Sequence, residues 1–147
     1  MRKVAHEVFA AGTAILILNP SIAHAPMVLL GAITGGIFPD IDVKLKHRKL
    51  MHNIFSLLIT SFALFYIMRF ILSPLNMLEI FIQAFLVGYF THILLDLFTV
   101  RGVAILWPIL ARSFRFSERK YDDPLLNALF IVLGLMAMIS YVVFMYK

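Results

Sequence analysis

The chain has no cysteine. Disulfides and thiolate ligation are therefore excluded, and any metal site is left to imidazole and carboxylate donors. Charge is scarce as well: charged residues are 14% of the 147, with eight acidic side chains against thirteen basic ones. There is one tryptophan, no internal repeat and no low-complexity tract. What fills the chain is apolar. Hydrophobic residues make up 62% and mean hydropathy is +0.94, well above the roughly half apolar usage of soluble domains. This is a membrane composition. The length suits one unit and is short for two independent cores, so residues 1–147 are expected to form a single integral-membrane helical domain. A net charge of +5 taken alone points to nucleic acid, but the bases flank apolar runs as cytoplasmic loops do. No nucleic-acid partner is expected.

Three runs have the roughly twenty residues a bilayer crossing needs: Leu50 to Leu72, Leu78 to Thr99 and Pro124 to Tyr146. Two shorter ones, Val8 to Leu18 and Met27 to Phe38, flank the breaker "NPSIAHAP" and read as short tilted helices or a re-entrant hairpin. The expected fold is all-α, a polytopic membrane bundle of about five transmembrane segments. "MRK", an apolar run and "AHA" at 23–25 imitate a secretory signal, but His6 and Glu7 interrupt the run, so it reads as a first membrane helix. Under this topology eleven of the thirteen bases fall on one side, and only Arg69 and Lys147 fall opposite. The N-terminus is thus expected in the cytoplasm, in an inner-membrane protein. Residues 102–123 begin apolar around Trp107 and end charged, which suits a segment lying in the interface. Gly102 is expected in a turn, and Asp122 and Asp123 as the cap and first turn before Pro124.

The topology brings scattered polar residues to one level. His6 opens the first segment, Asp40 and Asp42 close the second, His47 and His52 stand at the entrance to the third, and "THILLD" puts His92 and Asp96 on one face of the fourth. At 1.5 Å per residue, His92 lies about 10 Å and Asp96 about 4–5 Å inside the end at Thr99. Pro39 disfavours the helical region at Phe38, so "PDID" is expected to be extended, with Asp40 and Asp42 aimed alike. His47 and His52 would diverge by about 140° on a helix, so both reach one site only if His47 precedes it.

Each group alone has an ordinary reading. Asp40 and Asp42 could be neutralised by neighbouring bases in a solvated loop, His92 and Asp96 could be a hydrogen-bonded pair packing helices, and His6 could be an interfacial residue. His24, Glu79 and Arg69 belong to the far side. The convergence argues for a cation, because a carboxylate near a helix centre costs about 2.5–3.5 kcal/mol on insertion scales and two close carboxylates repel unless a cation sits between them. Neutral imidazoles and carboxylates suit zinc first, with manganese or iron next, and seven donors could serve one or two ions.

"PDID", "HRKLMHN" and "GYFTHILLDLFTVRGVAILWP" resemble the YdjM-like family of membrane-bound metal-dependent hydrolases, some of them described as LexA-regulated. The likeness covers residues 31–116, with His6 in the place of the family's histidine near the N-terminus. It implies a hydrolase whose metal-binding positions are His6, Asp40, Asp42, His47, His52, His92 and Asp96, with Arg48 beside them. Lys49, Met51 and Asn53 stand where the family typically has Gly, Thr and Ser, and Val100 and Arg101 where it has Pro and a small residue. The histidine and aspartate at helical spacing are also similar to part of the ligand set of the all-helical zinc-dependent phospholipases C.

The reaction expected is metal-assisted hydrolysis of an ester or phosphoester at the cytoplasmic surface. A site this shallow meets lipid headgroup and glycerol esters, which makes membrane lipid both environment and substrate. Arg48 could hold a phosphate oxygen and Asp42 act as general base. The alternatives are a structural metal in a lipid-binding or scaffolding protein, and then ion transport, which usually needs ionisable groups near the midplane.

Overall fold

The computed structural model describes residues 1–45, 50–72 and 76–145. Five α-helices run in order: α1 (Lys3–Leu18), α2 (Ala25–Ile37), α3 (Ile54–Leu72), α4 (Asn76–Asp96) and α5 (Pro124–Met145), with a 3-10 helix, Phe38–Leu45, after α2. No strand occurs among the described residues; an isolated antiparallel bridge joins Val103 and Phe114. The expected long runs are helices, and local chemistry trims their ends. Asn53 accepts a hydrogen bond from the Ser56 N–H at 2.8 Å, which makes it the cap of α3 and leaves His52 outside the helix instead of in its first turn. At the other end of α4 the chain tightens into i→i−3 bonds, with Phe98 N–H on Leu95 O at 3.0 Å and Thr99 N–H on Asp96 O at 3.2 Å, so the helix stops at Asp96 and not Thr99. Asp123 caps α5 through the Leu126 N–H at 2.8 Å, and Pro124 fills its first position. Asn19 ends α1 in the left-handed region at φ 40°, a conformation asparagine tolerates.

Small residues set the packing. On α2 a Cβ added at Gly31 or Gly35 would meet the backbone of Phe81 or Phe85 of α4, and one at Gly88 of α4 would meet the backbone of Ala32. The two helices touch backbone to backbone, the packing that apolar surroundings favour. Gly12 of α1 and Gly134 of α5 make a second such crossing. Consequently α4 is central, against α1, α2 and α3, while α5 lies along α1. Both α4 (Met77–Asp96) and α5 are long and apolar enough to cross a membrane; 56% of the first is buried against only 17% of the second. Ile139, Val143 and Phe144 of α5 and Phe62, Tyr66 and Phe70 of α3 are exposed. In water such faces would be a liability.

One local expectation is overturned. "PDID" is not extended: Phe38 sits in the right-handed helical region (φ −54°, ψ −43°), and the chain continues as the 3-10 helix. The preference imposed by Pro39 is a bias, and here continuation from α2 outweighs it. In a 3-10 helix successive residues turn by about 120°, so alternation no longer gives a reason for Asp40 and Asp42 to point alike.

Candidate metal centre

Three elements and the approach to α3 each deliver a side chain to the same end of the bundle. His6 comes from the second turn of α1, Asp40 from the 3-10 helix, His92 and Asp96 from α4 one turn apart, and His52 from the turn before α3. That turn is held by α4 itself: Tyr89 OH donates to Met51 O at 2.7 Å, while Asn53 Nδ2 donates to Leu50 O at 2.7 Å. Ile54 N–H reaches Ile105 O at 3.0 Å, tying the same stretch to the segment after α4. Thus Asn53, where the resemblance implies a serine, does the work of a cap, for which asparagine and serine are equally suited.

The donor geometry is tight. His92 Nδ1 lies 2.6 Å from Gly36 O. A carbonyl only accepts, so Nδ1 carries the proton and the Nε2 lone pair faces the cluster. His92 Nε2 is 3.3 Å from His52 Nε2. Asp40 Oδ1 stands 3.7 Å from His92 Nε2 and 3.9 Å from His52 Nε2. Asp96 Oδ2 stands 3.7 Å and 3.6 Å from the same two atoms. The other oxygen of Asp96 turns to His6, with Nε2 to Oδ1 at 3.3 Å, and the His6 ring stacks on His92 at 3.9 Å. A tetrahedral ion with bonds near 2.0–2.1 Å would set its donors about 3.3–3.4 Å apart. The donor types fit, the two imidazoles stand at that spacing already, and the carboxylate oxygens at 3.6–3.9 Å lie slightly beyond it. His6, His92 and Asp96 bring their donor atoms within 4.8 Å of one another, as do Asp40, His52 and His92.

Burial raises the electrostatic demand. His6, His52 and His92 are buried at 2%, 5% and 1% exposure, and Asp96 is the last residue of α4, where the helix dipole already places negative charge. The Met1 ammonium, 2.6 Å from Asp96 Oδ1, meets part of it. His6 Nδ1 is buried without a hydrogen-bond partner among the described residues.

Of the seven positions expected to bind metal, five converge: His6, Asp40, His52, His92 and Asp96. His47 and Arg48 lie outside the described residues, as does the side chain of Asp42. Two features escaped the sequence reading. Gly36 offers only a backbone carbonyl, which no side-chain pattern announces. A cavity of ≈ 140 Å³ beside His52 and Asp96 is lined by Arg101 and Ser113, residues of the segment expected to lie in the interface; the turn expected at Gly102, which has φ 62°, was the available signal that this segment folds back.

The fold and the cluster together define an all-helical protein with long apolar helices and a buried histidine and aspartate centre at one end. The model of the YdjM inner membrane protein family matches residues 1–147, and the chain belongs to that family. No curated protein and no solved structure matches it. The two long apolar helices agree with an inner-membrane protein.

Proposed function

We propose that this protein is a metal-dependent hydrolase of the cytoplasmic membrane face, acting on an ester or phosphoester of a lipid. The observation that carries the reading is the pair of imidazole nitrogens of His52 and His92, 3.3 Å apart, with one oxygen of Asp40 and one of Asp96 each 3.6–3.9 Å from both. In this reading all five helices cross the bilayer, α1 and α2 as a short pair of 16 and 13 residues, which reach about 24 and 20 Å of a roughly 30 Å core. The basic side faces the cytoplasm. His52, His92, Asp40 and Asp96 would hold one divalent ion, zinc first, with His6 and the second oxygen of Asp96 able to serve another. When bound, such an ion supplies Lewis acidity, lowering the pKa of a water and polarising the scissile oxygen.

The chain's own residues divide the remaining tasks. Gly36 fixes the His92 ring, so its lone pair needs no reorganisation. Asp96 is mostly enclosed and Asp40 is more open, with side-chain exposures of 14% and 39%, so the bulk of a lipid approaches from the Asp40 side and only a small group reaches the cavity beside Asp96. There a cavity of ≈ 260 Å³ is lined by Lys3, Ile37 and Ile41, a largely apolar wall with one cation, which suits the glycerol region of a lipid. Asp42 as the base and Arg48 as a phosphate-holding residue remain part of the proposal. The test supplies purified protein with zinc or manganese and a panel of phospholipids, beside His92→Ala. Product from the parent alone is expected; equal turnover by both would remove the hypothesis.

A second reading, a structural metal tying short helices together in a lipid-binding protein, is favoured by the near-complete burial of all three histidines. Chelation that lowers thermal stability in a protein without turnover would select it.

A further inference from the structure

The ≈ 140 Å³ cavity beside His52 and Asp96 is smaller than the roughly 300–1,000 Å³ that encloses a whole small ligand. It suits a headgroup whose remainder lies outside. Its outer wall is the segment after α4, which is pinned in place: Val103 and Phe114 exchange hydrogen bonds at 2.9 and 2.8 Å, Val100 N–H reaches Arg119 O at 2.8 Å, and Phe116 N–H reaches Leu97 O at 2.7 Å. Gly102 makes the turn that closes this wall, at φ 62°, where a Cβ would meet Phe114 O.

Charge in this wall is unevenly paired. Arg115 lies 3.6 Å from Glu118, and Arg119 lies 3.0 Å from Asp123. Arg101 has no carboxylate within ion-pair distance among the described residues; its guanidinium lies 5.8 Å from the Tyr121 ring centroid, a cation–π contact that leaves its N–H groups available. A divalent ion would balance the charges of Asp40 and Asp96, leaving the Met1 ammonium at Asp96 and Arg101 as positive charges beside the site. That excess favours an anionic ligand, and guanidinium is suited to pairing with two oxygens of one phosphate.

We propose that Arg101 is a specificity-determining residue that holds a non-bridging oxygen of a phosphodiester beside the His52 and Asp96 donors, with the Ser113 hydroxyl as a second hydrogen-bond donor in the same cavity. This rests on the hydrolase reading for its reaction, though not for binding. In that reaction water adds its oxygen to phosphorus, the phosphorus–oxygen bond to the leaving group breaks, and a water proton ends on the leaving oxygen. The products are a phosphate monoester and an alcohol. A carboxyl ester, being neutral, gains nothing from Arg101.

The test compares metal-loaded full-length protein with Arg101→Gln and Arg101→Lys, all first checked for equal melting temperature. Calorimetric titration with inorganic phosphate is expected to show roughly ten- to a hundredfold weaker binding in Arg101→Gln, the loss of charge-assisted hydrogen bonds, with Arg101→Lys between. For bis(4-nitrophenyl) phosphate the loss in kcat/KM should be of the same order and lie mainly in KM, while 4-nitrophenyl butyrate changes less than about twofold. Phosphatidylglycerol in mixed micelles, run beside soluble glycerophosphoglycerol, separates a lipid source of the phosphodiester from a soluble one; Arg101-dependent turnover of either supports the proposal. Phosphate binding that is absent from the parent, or unchanged in Arg101→Gln, overturns it, as does an equal loss on both ester classes. Arg101-dependent phosphate binding with no ester cleaved would leave Arg101 as an anion-holding residue and remove the hydrolase reading instead.

Discussion

At the Tyr141 end of the bundle polar groups close on ordinary partners: Tyr141 OH donates to Pro20 O at 2.7 Å, and Ser21 Oγ pairs with His24 Nδ1 at 2.8 Å. At the His92 end α1, the 3-10 helix, the turn before α3 and α4 bring together five ionisable side chains, with neighbouring donor atoms 3.3–3.9 Å apart. The first end is complete as a packing problem. The second is not, because imidazole lone pairs facing carboxylates need a positive charge between them. The contrast separates residues that hold the fold from residues that, in the proposed reading, hold an ion.

The largest way to disturb both ends together is at the α2–α4 crossing. Gly88→Leu drives a side chain into the backbone of Ala32 and should cost more than about 3 kcal/mol, the upper part of the usual overpacking range; size-exclusion chromatography in detergent should show loss of the folded species. Next comes the direct contrast of the two ends. His92→Ala should weaken metal binding by more than about 100-fold, beyond the usual loss of an outer partner, whereas His24→Ala should leave metal stoichiometry unchanged by elemental analysis. Comparable loss in both variants would erase the distinction between the ends. Metal removal belongs beside these: at a free concentration of about 100 Kd a bound ion stabilises by about 2.7 kcal/mol, so chelation should lower the melting temperature of the parent and not of His92→Ala.

Smaller effects sharpen the picture. Tyr141→Phe should cost about 0.5–1.5 kcal/mol for one hydrogen bond with metal content intact. Smallest is the cap of α5. The Leu126 N–H, and then Arg119, hold the Asp123 carboxyl below the usual carboxylate range. A lowered folded pKa contributes stability that is complete above the unfolded value of about 3.9 and disappears as pH falls through the folded value. Asp123→Asn, which keeps a capping oxygen and loses the charge, should therefore be slightly less stable than the parent at neutral pH and flatten the acid limb of an unfolding curve, the two proteins converging at low pH.

Much of this was legible in the residues. The long runs became α3, α4 and α5 because twenty apolar residues leave the backbone few other ways to satisfy itself, and "THILLD" puts His92 and Asp96 on one face through helical periodicity. His6 and Asp40 reach the site because the breaker at Asn19 and Pro20 folds α1 and α2 into a hairpin. The conformation of "PDID" was not legible, since whether a helix carries on past Phe38 depends on what it packs against. Nor was the Arg101 cavity, which depends on a turn bringing residues 101 and 113 to the end of α4.

The bond from His92 to the Gly36 carbonyl has a mechanical side. Gly36 belongs to α2 and His92 to α4, so a slide of one helix along the other by a single residue, about 1.5 Å, would break the 2.6 Å contact and free the imidazole to exchange tautomers. Lateral stress on this helix pair and the orientation of one lone pair are thereby a single coordinate: the centre senses the alignment of its own scaffold.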